Sequence, residues 1–150
     1  MKPKDNNGPY NIYAEAEIDV EFYDLDPLRI VWHGNYLNYF EVGRRALLEK
    51  LGYSYDEMEK SGYAFPVIEV SVKYLSSLRF RDRARVKAIL MEYENRLLIR
   101  YEIRNAQTGV LTTKGFSTQM AFDIKNNDSC FVCPSILIEK VESFAGGKTP

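Results

Sequence analysis

FYDLDPLRIVWHGNYLNYFEVGR, residues 22–44, places Asp24, Asp26 and the chain's only histidine, His33, between an alternating segment and a periodic one. Upstream, over residues 12–22, the even positions are Ile12, Ala14, Ala16, Ile18, Val20 and Phe22, and the odd ones carry Tyr13, Glu15, Glu17, Asp19 and Glu21. Such alternation makes a half-buried strand, because successive side chains leave opposite faces of a sheet. Pro27 has no N–H to donate and ends the ladder. Downstream, Asn35 can cap a helix that continues to about Leu51, where Gly52 supplies a stop. Leu37, Phe40, Leu48 and Leu51 share one stripe of that helix, with Tyr36 and Leu47 at its edge and Glu41 and Arg44 among them. Apolar side chains spread round much of the circumference, so the helix is expected to be covered on most sides.

Beyond this stretch, residues 54–61 read as a further short helix, capped by Ser54 and broken at Gly62. Four strand signals follow. Ile68, Val70, Val72 and Tyr74 alternate in the first, Ala84, Val86, Ala88 and Leu90 in the second, and Leu97, Ile99, Tyr101 and Ile103 in the third, while Phe116, Met120 and Phe122 share a face in the last. No connection between them could hold a second crossover helix, so the sheet should be antiparallel. Residues 134–143 can close the chain as a helix, with residues 1–10 and 144–150 as loose termini. The expected architecture is one α+β domain over residues 1–150, in β-α-β-β-β-β order. One helix covers only one face of a five-stranded sheet, so Leu98, Leu111 and Ala121 point to cover of the other face by a second subunit.

Lys and Arg number 20 against 21 Asp and Glu, a net charge of −1 that gives no overall attraction to nucleic acid or to an anionic membrane. The opening MKPKDNNGPY lacks the apolar core of a signal peptide, and no run approaches a membrane span, which gives a cytoplasmic expectation. Cys130 and Cys133 form a lone C-x-x-C, but zinc would need ligands that one distant histidine cannot supply, and Pro134 follows at once. They are expected to be reduced, packed thiols; neither a metal nor a cofactor is expected.

Periodicity does not fix the distance between Asp26 and His33; only the fold can. If the loop folds back, a carboxylate can attack a carbonyl carbon or activate water, while N–H groups at residues 34–36 meet the carbonyl oxygen at the positive end of the helix. Equally, Asp24 and Asp26 can be turn and capping residues, with His33 hydrogen-bonded in its loop. Glu41 and Arg44, at i and i+3, are expected to satisfy each other inside the core, with a catalytic Glu41 as a secondary reading. Arg79, Arg81, Arg83, Arg85 and Lys87 all carry odd numbers and share one face of an extended segment. That ridge can meet coenzyme A phosphates or an acidic carrier protein, or it can be a solvated face that protects an edge strand.

The run from Glu21 to Pro27, then Ile30-Val31-Trp32-His33 and Asn35-Tyr36, resembles the 4-hydroxybenzoyl-CoA thioesterase family of hot dog folds. Phe40-Glu41 with Arg44, Phe65-Pro66-Val67, and Tyr74 with Asp82 extend the resemblance over roughly residues 12–135. It implies a long central helix wrapped by a five-stranded antiparallel sheet, with Asp26 as nucleophile or general base toward a thioester carbonyl and His33 helping to position it. It further implies a substrate site, here Arg29, Val31, Trp32, Gly34, Asn35 and Tyr36 with Arg79, Arg81 and Arg83, at a dimer interface, with dimers often paired into tetramers. Arg29 stands where the family commonly has glycine, and Phe22 where some relatives have tyrosine. The expected activity is hydrolysis of an acyl-CoA or acyl-carrier-protein thioester. An acyl-thioester hydratase or dehydratase and a non-catalytic acyl-CoA-binding module are the other readings.

Overall fold

In the computed structural model, which describes residues 6–146, the first alternating segment forms strand β1 (Tyr13–Asp19). A single 3-10 turn, Phe22–Asp24, follows, and the chain then loops to helix α1 (Asn35–Lys50). A short helix α2 (Tyr55–Ser61) leads to β2 (Tyr63–Ala64), β3 (Val67–Tyr74), β4 (Arg83–Glu92), β5 (Leu97–Asn105), β6 (Leu111–Gln119), β7 (Phe122–Asp123) and β8 (Asp128–Ser129). Helix α3 (Ser135–Ala145) closes the described chain. The five long strands form one antiparallel sheet in the order β1-β4-β5-β6-β3, and the two-residue strands form a separate small sheet, β2-β7-β8.

Cross-strand partners Ala14, Ala88, Tyr101, Gly115 and Val72 face α1, so the small residues of the alternation lie under the helix. Gly43 brings the α1 backbone down onto β4, where an added Cβ would meet Val86 Cγ1 at 2.7 Å. Phe40 reaches through the sheet's inner face to stack on Tyr101, with ring centroids 4.4 Å apart and 7° between planes. Room for that ring comes from Gly115, whose missing Cβ would stand 2.1 Å from the Ser71 carbonyl oxygen and 2.9 Å from a Phe40 ring carbon. Leu47, Leu48, Leu97, Ile99 and Ile103 are fully buried around this centre.

Several expectations need correction. The first strand ends at Asp19, and the turn that follows reverses the parity, so Phe22 is 74% exposed and packs its ring edge-on against Phe80. Gly34, not Asn35, is the N-cap of α1, because the Asn35 side chain is turned back to donate from Nδ2 to the Asp24 carbonyl oxygen at 2.8 Å. Leu37 is exposed, whereas Tyr36, Tyr39 and Phe40 carry the buried face. Phe116 lies on the outer face of β6, and that strand stops before Met120. Ala121 is buried, so it is not part of an open sheet face. The more exposed apolar band is edge strand β3, where Val67, Ile68, Val70 and Tyr74 are all accessible.

The termini are more ordered than expected where they are described. Tyr10 packs edge-on against Tyr93 at 5.1 Å, and α3 continues to Ala145 with Phe144 against the core. The rest of the expected loose ends, residues 1–5 and 147–150, lies outside the described residues. Ser54 caps α2 by accepting from the Glu57 N–H at 3.3 Å, and Gly52 and Gly62 take φ of +77° and +85° at the two helix ends, as a left-handed stop requires. Among the described residues no helix is long and apolar enough to cross a membrane.

Candidate active site

The loop between the 3-10 turn and α1 is built on two acids with different duties. Asp24 Oδ2 accepts from the Glu21 N–H at 3.0 Å and from the Tyr39 hydroxyl at 2.9 Å, while its carbonyl oxygen accepts from Asn35 Nδ2 and from the Trp32 N–H. Burial, and then the Asp24 carboxylate beside it, hold the Tyr39 phenol well above its ordinary pKa. Asp24 thus fastens the loop to the helix. Asp26 Oδ1 accepts from the Leu28 N–H at 2.8 Å and closes a tight turn, completed by Arg29 N–H to Asp26 O and Asp26 N–H to Ile30 O, both 2.9 Å. Arg29 has φ of +63° in that turn, the left-handed region where glycine is unstrained. The second oxygen of Asp26 has no partner among the described residues.

Asp26, His33 and Tyr36 line one cavity of about 370 Å³ together with Leu28, Ile30 and Val31. Its other wall is Tyr74, Leu75, Ser76 and Ser77, from the end of β3 and the loop after it. These wall residues are remote in sequence from Asp26, and of them only Tyr74 belongs to the motifs that carry the family resemblance. The two walls are tied by Val31 N–H to Leu78 O at 2.9 Å and by the Tyr74 hydroxyl to His33 O at 2.8 Å. The imidazole stands edge-on to Tyr74 at 6.3 Å and beside Trp32 at 5.2 Å, and it makes no hydrogen bond to Asp26 in this structure. Burial raises the Tyr36 pKa, and Tyr74 and then Asp26 add to the shift.

Trp32 lies flat over Gly34, where a Cβ would stand 2.4 Å from its ring carbons. At the start of α1 the Asn35 N–H is committed to Trp32 O at 2.9 Å, which removes it from the expected set of free amides. The N–H groups of Gly34 and Tyr36 have no acceptor among the described residues. A second, separate hollow of about 240 Å³ lies in the trough between α1 and β3, lined by Leu37, Phe40, Val67, Val70 and Tyr101. Glu41 and Arg44 close its far end. They pair as expected, but Glu41 is 46% exposed and also accepts from the Tyr55 hydroxyl, so the pair borders the trough and is not in the core.

The expected arginine ridge does not run unbroken. β4 begins only at Arg83, and Arg79 and Arg81 sit in the preceding turn, where Arg81 has φ of +71°. Arg83 pairs with Asp19 at 3.1 Å and Glu17 at 3.7 Å, and Arg85 with Glu17 at 3.1 Å, across the β1–β4 ladder on the outer face. Cys133 is buried, and desolvation, with Glu92 and Cys130 nearby, pushes its thiol up to about 11, which keeps it protonated and unreactive at neutral pH.

A five-stranded antiparallel sheet wrapped on one long helix, with a cavity at the helix's N-terminal end, defines a hot dog fold protein. Residues 20–142 match the thioesterase-like superfamily, and the chain belongs to it. Among curated relatives, a Bacillus subtilis protein provisionally named acyl-CoA thioesterase YneP is 34% identical over 111 residues, 73% of this chain and 80% of that one. The chloroplast acyl-acyl carrier protein thioesterase ATL3 of Arabidopsis thaliana is 40% identical over 76 residues, 51% of this chain but only 40% of the plant protein. The DHNA-CoA thioesterase of Staphylococcus aureus superposes with a TM-score of 0.77 at 28% identity, covering 92% of this chain and 96% of that one.

Proposed function

We propose that this protein hydrolyses the thioester of an acyl-CoA or acyl carrier protein, with Asp26 as nucleophile or general base. The observation that carries this reading is the uncommitted Asp26 oxygen in a cavity shared with the start of α1. As nucleophile, that oxygen adds to the thioester carbon, the C–S bond breaks, and the thiolate leaves to take a proton from water. Water then cleaves the resulting anhydride to release the acid and restore the carboxylate. As general base, Asp26 instead takes a proton from the attacking water. In either route the Gly34 and Tyr36 N–H groups receive the developing oxyanion. His33 serves by holding the cavity wall through Tyr74 and by orienting the acyl group.

The cavity opens beside the unpaired β3 edge, whose apolar side chains support assembly into a homodimer that closes the site, with pairing of dimers into tetramers. We place the protein in the cytoplasm, where its two free thiols stay reduced.

Asp26→Asn tests the reading cleanly, because the amide oxygen can still accept from Leu28 N–H while the charge is gone. Release of free thiol from a panel of acyl-CoAs should fall by about 10²- to 10⁴-fold. Wild-type rates in Asp26→Asn would remove Asp26 from the chemistry.

A further inference from the structure

The arginines fall into two groups by their partners. Arg44, Arg83, Arg85, Arg96, Arg100 and Arg104 each pair with a carboxylate. Four exposed arginines have no carboxylate partner among the described residues: Arg45 on α1, and Arg29, Arg79 and Arg81 together on the two loops that form the cavity. The acids of the same loops do not serve them. Asp24 is bound to Glu21 N–H and Tyr39, Asp26 to Leu28 N–H, and Asp82 Oδ2 to Arg79 N–H at 2.8 Å. Carboxylates turned inward onto amides leave the guanidinium groups facing solvent.

Large exposed apolar side chains stand on the same two loops as those cations. Phe22, Tyr23 and Leu28 are 74%, 82% and 76% exposed, and Phe80 is 42% exposed with Arg81 stacked 5.3 Å from its ring centroid. Phe22 meets Phe80 across the two loops at 5.8 Å, and the loops are fastened by Val31 N–H to Leu78 O and Val20 N–H to Asp82 O, both 2.9 Å. One nucleotide base would cover one ring. A patch of four large apolar residues, rimmed by three unpaired cations, has the make-up of a protein-docking surface.

We infer that this patch docks an acyl carrier protein, a small acidic helical domain that presents its acyl group on a phosphopantetheine arm at the adjoining cavity. The inference rests on the thioesterase reading and selects between its two carriers. Acidic side chains of the carrier meet Arg29, Arg79 and Arg81, and its apolar contacts cover Phe22 and Phe80. Electrostatic attraction of this kind speeds encounter and weakens as salt rises.

The test compares one acyl group on three carriers: acyl carrier protein, coenzyme A and bare pantetheine. In Arg79→Glu/Arg81→Gln, the ratio of kcat/KM for the carrier-protein substrate to that for acyl-pantetheine should fall by about tenfold or more, and its salt dependence should flatten. Phe80→Ser, which changes no charge, should lower the same ratio without altering the salt dependence. An unchanged ratio in both variants overturns the inference. So does an equal fall for acyl-CoA and the carrier-protein substrate, which would assign the cations to coenzyme A phosphates. Binding of acyl carrier protein to Asp26→Asn protein by surface plasmon resonance, with and without the patch substitutions, separates this inference from the catalytic reading. Docking that the patch substitutions abolish upholds the surface even if no thioester is cleaved, and docking that they leave intact overturns it.

Discussion

Gly115→Ala should separate the edge strand from the rest of the sheet. The new methyl would sit 2.1 Å from the Ser71 carbonyl oxygen and 2.9 and 3.0 Å from two Phe40 ring carbons. Phe40 could tilt only by giving up its stack on Tyr101, and Ser71 lies in the β3–β6 ladder, so its oxygen moves only with the backbone. Overpacking costs about 1–3 kcal/mol where side chains can adjust, and a backbone obstacle puts this site at about 3 kcal/mol. For a chain of this size that lowers the melting temperature by roughly 6–12 °C. Adding Phe40→Leu frees the ring contact but not the carbonyl contact, so the double variant should melt no higher than Gly115→Ala. Thermal unfolding followed by circular dichroism measures both. A Gly115→Ala protein that melts within about 2 °C of wild type would show that β3 yields freely, and the argument from close approach would fail.

Two further outcomes follow from the polar groups. Glu41→Ala leaves Arg44 facing Tyr55 without its carboxylate, and because Glu41 is half exposed the loss of stability should be small, about 0.5–1 kcal/mol by urea midpoint. Thioester turnover should persist, and its abolition at near-normal stability would move Glu41 into the chemistry. Burial raises the pKa of Tyr36, Tyr39, Tyr53 and Tyr101, so their stabilising effect is full below the ordinary phenol value of about 10 and is lost as pH climbs from there toward the raised values. Stability should therefore drop on the alkaline side of that value, less steeply in Tyr39→Phe, and an identical alkaline limb in the two proteins would count against the Tyr39 assignment.

Local pattern carried the fold a long way. The alternations in β1, β4 and β5 and the period of α1 are properties of neighbouring residues, and burial follows them closely in Val86, Ile99, Leu47 and Leu48. It failed where a single backbone event resets parity. The 3-10 turn after Asp19 exposes Phe22, and the left-handed Arg81 takes Arg79 out of register with Arg83. The cap of α1 departs from local preference because Asn35 finds its acceptor in the Asp24 carbonyl oxygen, a tertiary partner that no local rule supplies. The candidate site was legible on one wall only. Asp26, His33 and Tyr36 lie in one continuous stretch, while Leu75, Ser76 and Ser77 arrive through the β3–β6 ladder, whose register depends on Gly115 admitting Phe40. The two-residue strands of the small sheet are too short to leave a periodic signature at all.

The two backbone hydrogen bonds that clamp the loop before α1 to the loop after β3 also set a length. Phe80 and Asp26 lie on segments joined at Val20–Asp82 and Val31–Leu78, so the span from the outer patch to the Asp26 carboxylate is held by main chain and not by flexible side chains. On the proposed reading the pair acts as a ruler: a carrier whose arm is too short to bridge that span would dock on the patch without presenting its thioester to Asp26.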